Sequence, residues 1–183
     1  MSLCLQTGVR TEEARALTWE HVDLDGKADE DPPVPPSVAV WRSVRQHGDT
    51  KTRMSRRTLA LPRATVRALR VHRELQQQER INAGAAWQDH DLVFCTRIGT
   101  PLDAANIRRE FRDLTARAGQ GTQWTPQELR HTFVSLLSAS GTPAEEIAHP
   151  AGQSSTRTTE VIYRRELRPV LTRGAEAMDT IFQ

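Results

Sequence analysis

The chain carries a single tyrosine, Tyr163, at the end of the run Gly152-Gln153-Ser154-Ser155-Thr156-Arg157-Thr158-Thr159-Glu160-Val161-Ile162-Tyr163, with Arg164 and Arg165 directly after it. A phenol titrates at about 10 and is a poor nucleophile on its own, so it attacks a phosphate only where cations neutralise the target. The ordinary alternative is a ring packed on the core with its hydroxyl at the rim. Three further cations stand in suggestive settings: Arg10 on a bend just ahead of a helix, Lys51 on or beside a hairpin tip, and Arg130 at the edge of an apolar helical stripe. An arginine in that last position must find an anion or reach solvent along its stem. Plain readings exist for the others: Arg10 as a surface partner of Glu13, and Lys51 as a solvated turn residue.

The elements that must position these residues are legible from punctuation and periodicity. Residues 1–9 read as the last turn of an apolar helix closed by Gly8. Thr11 then starts a helix with Glu12 and Glu13 in its first turn, Ala14 and Leu17 inward, and Trp19 and Val22 continuing the packing. The cluster Asp31-Pro32-Pro33-Val34-Pro35-Pro36 can only be a loop. Alternation through Val38 and Val40 gives a strand, and a second strand at about 56–61 completes an antiparallel hairpin. Pro62 opens a long helix to about Ala83, with Val66, Leu69, Leu75 and His72 inward, and Gly84 stops it. Residues 91–95 form a short buried strand or extended segment.

Asp103 caps the next helix, with Ile107, Phe111, Leu114 and Ala118 on one face and Arg108, Arg109, Arg112 and Arg117 on the other. Thr125-Pro126 begins a helix with Leu129, Phe133, Leu136 and Leu137 as its core stripe, ending at Gly141. Thr142-Pro143-Ala144-Glu145 starts a short helix that runs until Pro150. A helix capped near Ser155 or Thr156 carries Tyr163, and Val170 to Phe182 makes a final amphipathic helix. The fold class is therefore α+β, mainly helical, with a small antiparallel sheet.

At 183 residues the chain is read as one domain, 1–183. Cys4 and Cys95 stand far apart with no Cys-x-x-Cys spacing, which argues against a zinc site and suits a reducing compartment. No apolar run reaches the length of a membrane span and no signal peptide is evident, so the reading is cytoplasmic, with no membrane partner. A net charge of +2 announces nothing by itself, but residues 20–31 are acidic and 42–57 basic. That segregation fits a one-sided field for a polyanion, and equally a solvated charged hairpin.

Four separated stretches, in order, resemble the catalytic domain of the tyrosine recombinases, the phage-integrase family. They are Thr7-Gly-Val-Arg10-Thr-Glu-Glu13, Thr50-Lys51-Thr-Arg-Met-Ser-Arg56-Arg57, Thr125-Pro-Gln127-Glu-Leu-Arg130-His131-Thr132, and the run from Gly152 to Tyr163. Their style is similar to that of integrases from actinobacterial mobile elements.

The resemblance implies site-specific DNA recombination or integration, with Tyr163 attacking the scissile phosphate to leave a 3′-phosphotyrosyl link and a free 5′-hydroxyl. Arg10 and Arg130 match the guanidiniums that hold the non-bridging oxygens, a task suited to their planar forks. Lys51 matches the lysine that protonates the leaving oxygen. Glu13 matches an acidic position expected to orient an arginine or cap the helix. His131, beside Arg130 but about 100° round the helix, is expected to be a buried supporting residue. Arg53, Arg56, Arg57 and Arg164 are candidate DNA-phosphate contacts. No metal or cofactor is implied. The implied partners are double-stranded DNA attachment sites and other protomers on DNA, with the last helix docking in cis or exchanging between protomers.

The sequence departs from the family pattern at two site positions. Gln127 and Gln153 stand where the family usually has histidine, or histidine or tryptophan. Glutamine donates a hydrogen bond but exchanges no proton near pH 7, so neither supplies a base for Tyr163. The family's N-terminal core-binding domain is not found in these residues, which predicts weakened, salt-sensitive DNA binding. Two alternatives follow: a DNA-binding remnant with little recombinase activity, and a nicking and closing activity of the type IB topoisomerase kind.

Overall fold

The first helix, α1 (Ser2–Thr7), closes on Gly8, whose φ of 68° is left-handed. A Cβ at that position would also lie 2.6 Å from Phe133 Cδ1, so backbone and packing both require glycine. The structure is a computed structural model that describes residues 1–41, 56–148 and 150–151. Lys51, Arg53, His149, Gln153, Tyr163, Arg164 and the closing helix expected from Val170 lie outside the described residues.

After the bend at Val9 and Arg10, α2 covers only Thr11–Arg15. The expected continuation through Trp19 and Val22 is replaced by a 3₁₀ turn at Trp19–His21 and a short strand β1, Val22–Asp23. Sheet pairing wins there: Val22 sits opposite Val38 and Asp23 opposite Ser37, which satisfies the backbone that a longer helix would have used. Strands β2 (Ser37–Val40) and β3 (Arg57–Ala60) form the expected antiparallel pair. Their register sets Val38 against Leu59 and Val40 against Arg57, in a sheet of order β1-β2-β3. Val38, Val40, Leu59 and Arg57 are all buried, so the inward face of the sheet carries one arginine among aliphatic residues.

Helix α3 (Arg63–Ala83) begins after Pro62 and ends at Gly84 as expected. Val66 and Leu69 are buried, but Leu75 is 61% exposed. The buried residue in its place is Gln76, because Val66, Leu69, His72 and Gln76 keep the three-to-four residue spacing and Leu75 falls about 100° away. Gln76 is tolerated inside since its amide is used: Oε1 accepts from Trp19 Nε1 at 2.7 Å and Nε2 donates to the Leu92 carbonyl at 3.0 Å. Residues 91–95 do not form the expected strand or extended segment: Asp91 is left-handed (φ 52°) and the chain bends at Val93 and Phe94, with isolated bridges from Leu92 to Thr18 and from Cys95 to Pro101, and Val93 is fully buried.

Asp103 caps α4 (Ala104–Arg117), its carboxylate accepting from the amides of Ala105 and Asn106. The buried stripe of α4 is narrower than the periodicity suggests: Phe111 is buried and Ile107 half-buried, while Leu114 and Ala118 are exposed. Helix α5 (Gln127–Ala139) is opened by Thr125, whose amide and hydroxyl both donate to Glu128. Here Val134 takes the inward place expected for Leu136, which is 59% exposed. Helix α6 (Ala144–Ala148) is short, as read from its cap.

Two apolar clusters hold the elements. The larger joins α1, α2, the sheet, α3 and Val93, and Leu129 of α5 packs against it. The smaller joins Phe133 and Val134 of α5 to Ile147 and Ala151. Helix α5 therefore links both clusters, and Arg130 is carried at the junction.

Candidate active site

Glu13 is the point where the described site residues converge. Its side chain is 3% exposed. Oε1 accepts from Arg10 Nη1 at 2.9 Å and from Arg57 Nη1 at 3.0 Å. Oε2 accepts from the Arg10 backbone amide at 2.8 Å and from Arg57 Nη2 at 2.9 Å. A carboxylate offers about four lone-pair sites, and all four are filled. The first turn of α2 thus does two tasks at once: Glu13 caps the helix by reaching back to Arg10, and the same carboxylate orients the Arg10 guanidinium. Burial alone would raise the Glu13 pKa, but the hydrogen bonds and charge of Arg57, joined by Arg10, outweigh it and hold the carboxyl below its usual 4.5.

Arg130 enters from α5. Its Nη1 donates to the Gly8 carbonyl at 2.8 Å, which places it at the bend that carries Arg10. The carbonyl belongs to the left-handed glycine that closes α1. Arg130 is pushed down to about 10, first by burial, then by the charge of Arg10, with Arg57 adding to it and Glu13 opposing. It remains charged at neutral pH. Among the described residues the cluster gathers three guanidiniums around one carboxylate, and the Arg10 side chain, 42% exposed, reaches the surface.

The other predicted residues fall at different distances from this centre. Gln127 is exposed in the first turn of α5, three residues before Arg130 and so on the same side of the helix. His131 is half-buried rather than fully buried. Arg56 is exposed just ahead of β3. Arg57, grouped above with the DNA-phosphate candidates, is placed differently: its side chain is 1% exposed, forked onto Glu13, and its Nε donates to the Pro150 carbonyl at 2.8 Å. The alternation of β3 held the signal for this, since Arg57 stands two positions before the inward Leu59. The carbonyls of Gly8 and Pro150 were not foreseen at all, because backbone acceptors leave no mark in side-chain spacing. Among the described residues no group of three or more His, Cys, Asp or Glu could hold a metal ion, and no helix is long and apolar enough to cross a membrane.

The fold and cluster together define a mainly helical domain with a three-stranded antiparallel sheet that gathers arginines from separate elements around one buried carboxylate. The chain belongs to the phage integrase family, whose sequence model matches residues 1–168. It is 55% identical over 183 residues to an integrase of Streptomyces ambofaciens, covering 99% of this chain and 47% of that protein. The chain thus spans about half the length of that relative. Among solved structures, the Tn1549 transposon integrase in complex with transposon right-end DNA superposes with a TM-score of 0.72 at 16% identity, over 100% of this chain and 57% of the other. The XerA recombinase gives 0.70 at 26% identity, over 97% of this chain and 56% of that one.

Proposed function

We propose that this chain is the catalytic part of a site-specific DNA integrase that cleaves and rejoins strands through Tyr163. The observation that carries the proposal is the saturated Glu13 carboxylate, which holds Arg10 in place near Arg130. Two guanidiniums fixed before the substrate arrives can stabilise the charge that develops on a phosphate's non-bridging oxygens without reorganising. Family membership and the DNA-bound Tn1549 relative support DNA as the substrate.

In this reading Tyr163 Oη forms a bond to phosphorus, the bond to the 5′ oxygen breaks, and Lys51 gives that oxygen its proton. The phenolic proton passes to water, since Gln127 and Gln153 cannot take it. Rejoining reverses these steps with a 5′-hydroxyl as nucleophile. The energy of the phosphodiester is kept in the phosphotyrosyl link, so no energy cofactor enters the scheme. Arg56, Arg53 and Arg164 are assigned to flanking phosphates, and further protomers to the second strand exchange.

The test is incubation with a pool of nicked suicide duplexes of randomised sequence, followed by denaturing electrophoresis. A covalent protein–DNA adduct that disappears in Tyr163→Phe is expected. If duplex is retained under native conditions yet no adduct forms, the DNA-binding remnant replaces the enzyme. That second reading is favoured by the two glutamines, and Gln127→His and Gln153→His, made separately, show whether either limits the rate.

A further inference from the structure

Arg57 is a charged residue in a position that packing alone would give to an aliphatic one. It lies on the inward face of the sheet opposite Val40 and two residues from Leu59. A buried ion pair is seldom worth more to stability than well-packed apolar residues of similar volume. Here the pair also adds a third cation beside Arg10 and Arg130, and Arg130 feels its charge. What Arg57 contributes in return is direction. Its fork fixes both oxygens of Glu13, and its Nε fixes the Pro150 carbonyl. The turn at Pro150 and the buried Ala151 directly precede Gly152, where the stretch leading to Tyr163 begins.

We infer that Arg57 is a positioning residue: through Glu13 it sets the Arg10 guanidinium, and through Pro150 it ties the start of the Tyr163 segment to the same point. Its part in the reaction rests on the strand-cleavage reading above; its part in holding Arg10 rests on the geometry alone. Arg57 makes no contact with DNA phosphate, because its side chain is enclosed. Lysine keeps the charge but has one ammonium in place of a planar fork, so it cannot hold both Glu13 oxygens and the Pro150 carbonyl together.

The experiment compares wild type, Arg57→Lys, Glu13→Gln and the double variant, with folding checked by thermal melting. Three readouts are taken: duplex affinity by anisotropy across salt, adduct rate at saturating suicide duplex, and the Arg10 Nε–Hε resonance by ¹⁵N NMR. Arg57→Lys should slow the adduct step by about 10- to 100-fold, the usual effect of removing an outer supporting contact, with affinity within about 3-fold. In the Glu13→Gln background the further loss should be smaller than in wild type, since the link to Arg10 is already cut and the Pro150 tie alone remains to be lost. The Arg10 resonance should shift toward those of exposed arginines.

The charge-neutral pair Arg57→Met with Glu13→Gln should keep the salt slope of binding, and it replaces Arg57→Lys if that variant fails to fold. A slope lower by about one would mean that Arg57 touches phosphate and would overturn the inference. So would a wild-type rate in Arg57→Lys, or losses that multiply in the double variant. If wild type forms no adduct, the strand-cleavage reading fails. The NMR arm still decides on Arg57: an unchanged Arg10 resonance in the variants sinks it.

Discussion

The Glu13 carboxylate sets the behaviour of the site at the scale of single residues. Cutting one partner from a buried pair leaves the other charge unpaired, so Glu13→Ala should destabilise the chain by about 3–5 kcal/mol in urea titrations. The pH dependence follows from the lowered Glu13 pKa. Its folded value lies below its unfolded one, so its contribution is fully present above the usual carboxylate range and is lost as pH falls through the folded value. The stability gap between wild type and Glu13→Gln should therefore be flat above the usual carboxylate range and close as pH falls below it.

Arg130 has the opposite sense. A cation pushed down to about 10 costs stability while charged, and an anion between the guanidiniums offsets that cost. Sulfate at about ten times its dissociation constant should stabilise wild type by about 1.4 kcal/mol, and Arg130→Met should lose that increment. The motifs singled out Arg10, Glu13 and Arg130, and the structure brings these three to one place; whether they act on DNA belongs to the proposal above. Arg57 was misplaced because its charge was read without the strand's alternation, which points it inward beside Leu59.

At the scale of elements, the bend between α1 and α2 and the start of α5 deliver the two arginines to one place. Gly8 joins them, through its left-handed backbone, its contact with Phe133 and its carbonyl on Arg130. Gly8→Ala should cost about 1–2 kcal/mol for the backbone and about 1–3 more for the overpacking, and should slow adduct formation because the Arg130 anchor moves. Elsewhere the caps and breakers read well: Gly8, Pro62, Gly84 and Asp103 all mark helix ends where expected. What failed was the rotation of helices about their axes.

Leu75, Leu114 and Leu136 were placed inward by hydrophobicity and stand exposed, while Gln76 and Val134 are buried. A leucine one position off the buried ridge is indistinguishable by composition, and a buried glutamine is invisible until its partners, Trp19 and the Leu92 carbonyl, are known. Urea titration should separate the two faces of α3: Leu69→Ala costs about 2–5 kcal/mol, and Leu75→Ala stays within about 0.5. The early end of α2 was likewise hidden, since it depends on Val22 finding Val38 across the sheet.

At the scale of the whole molecule, the described residues supply an arginine cluster, and Lys51 and Tyr163 complete the proposed chemistry from segments outside them. Family and fold could be read because four short motifs stand in order along nearly the whole chain, and the family's sequence model matches residues 1–168. The proposed pairing of protomers on DNA has no such signal, because it would depend on surfaces rather than motifs. The most direct measurement is the chemical mapping of the covalent link. Wild-type adduct is trapped on a suicide duplex, digested with protease and nuclease, and analysed by mass spectrometry. The prediction is a nucleotide 3′-phosphate on the peptide containing Tyr163 and a free 5′-hydroxyl on the released strand. A link to any other residue, or a 5′-phosphate on the released strand, would contradict it.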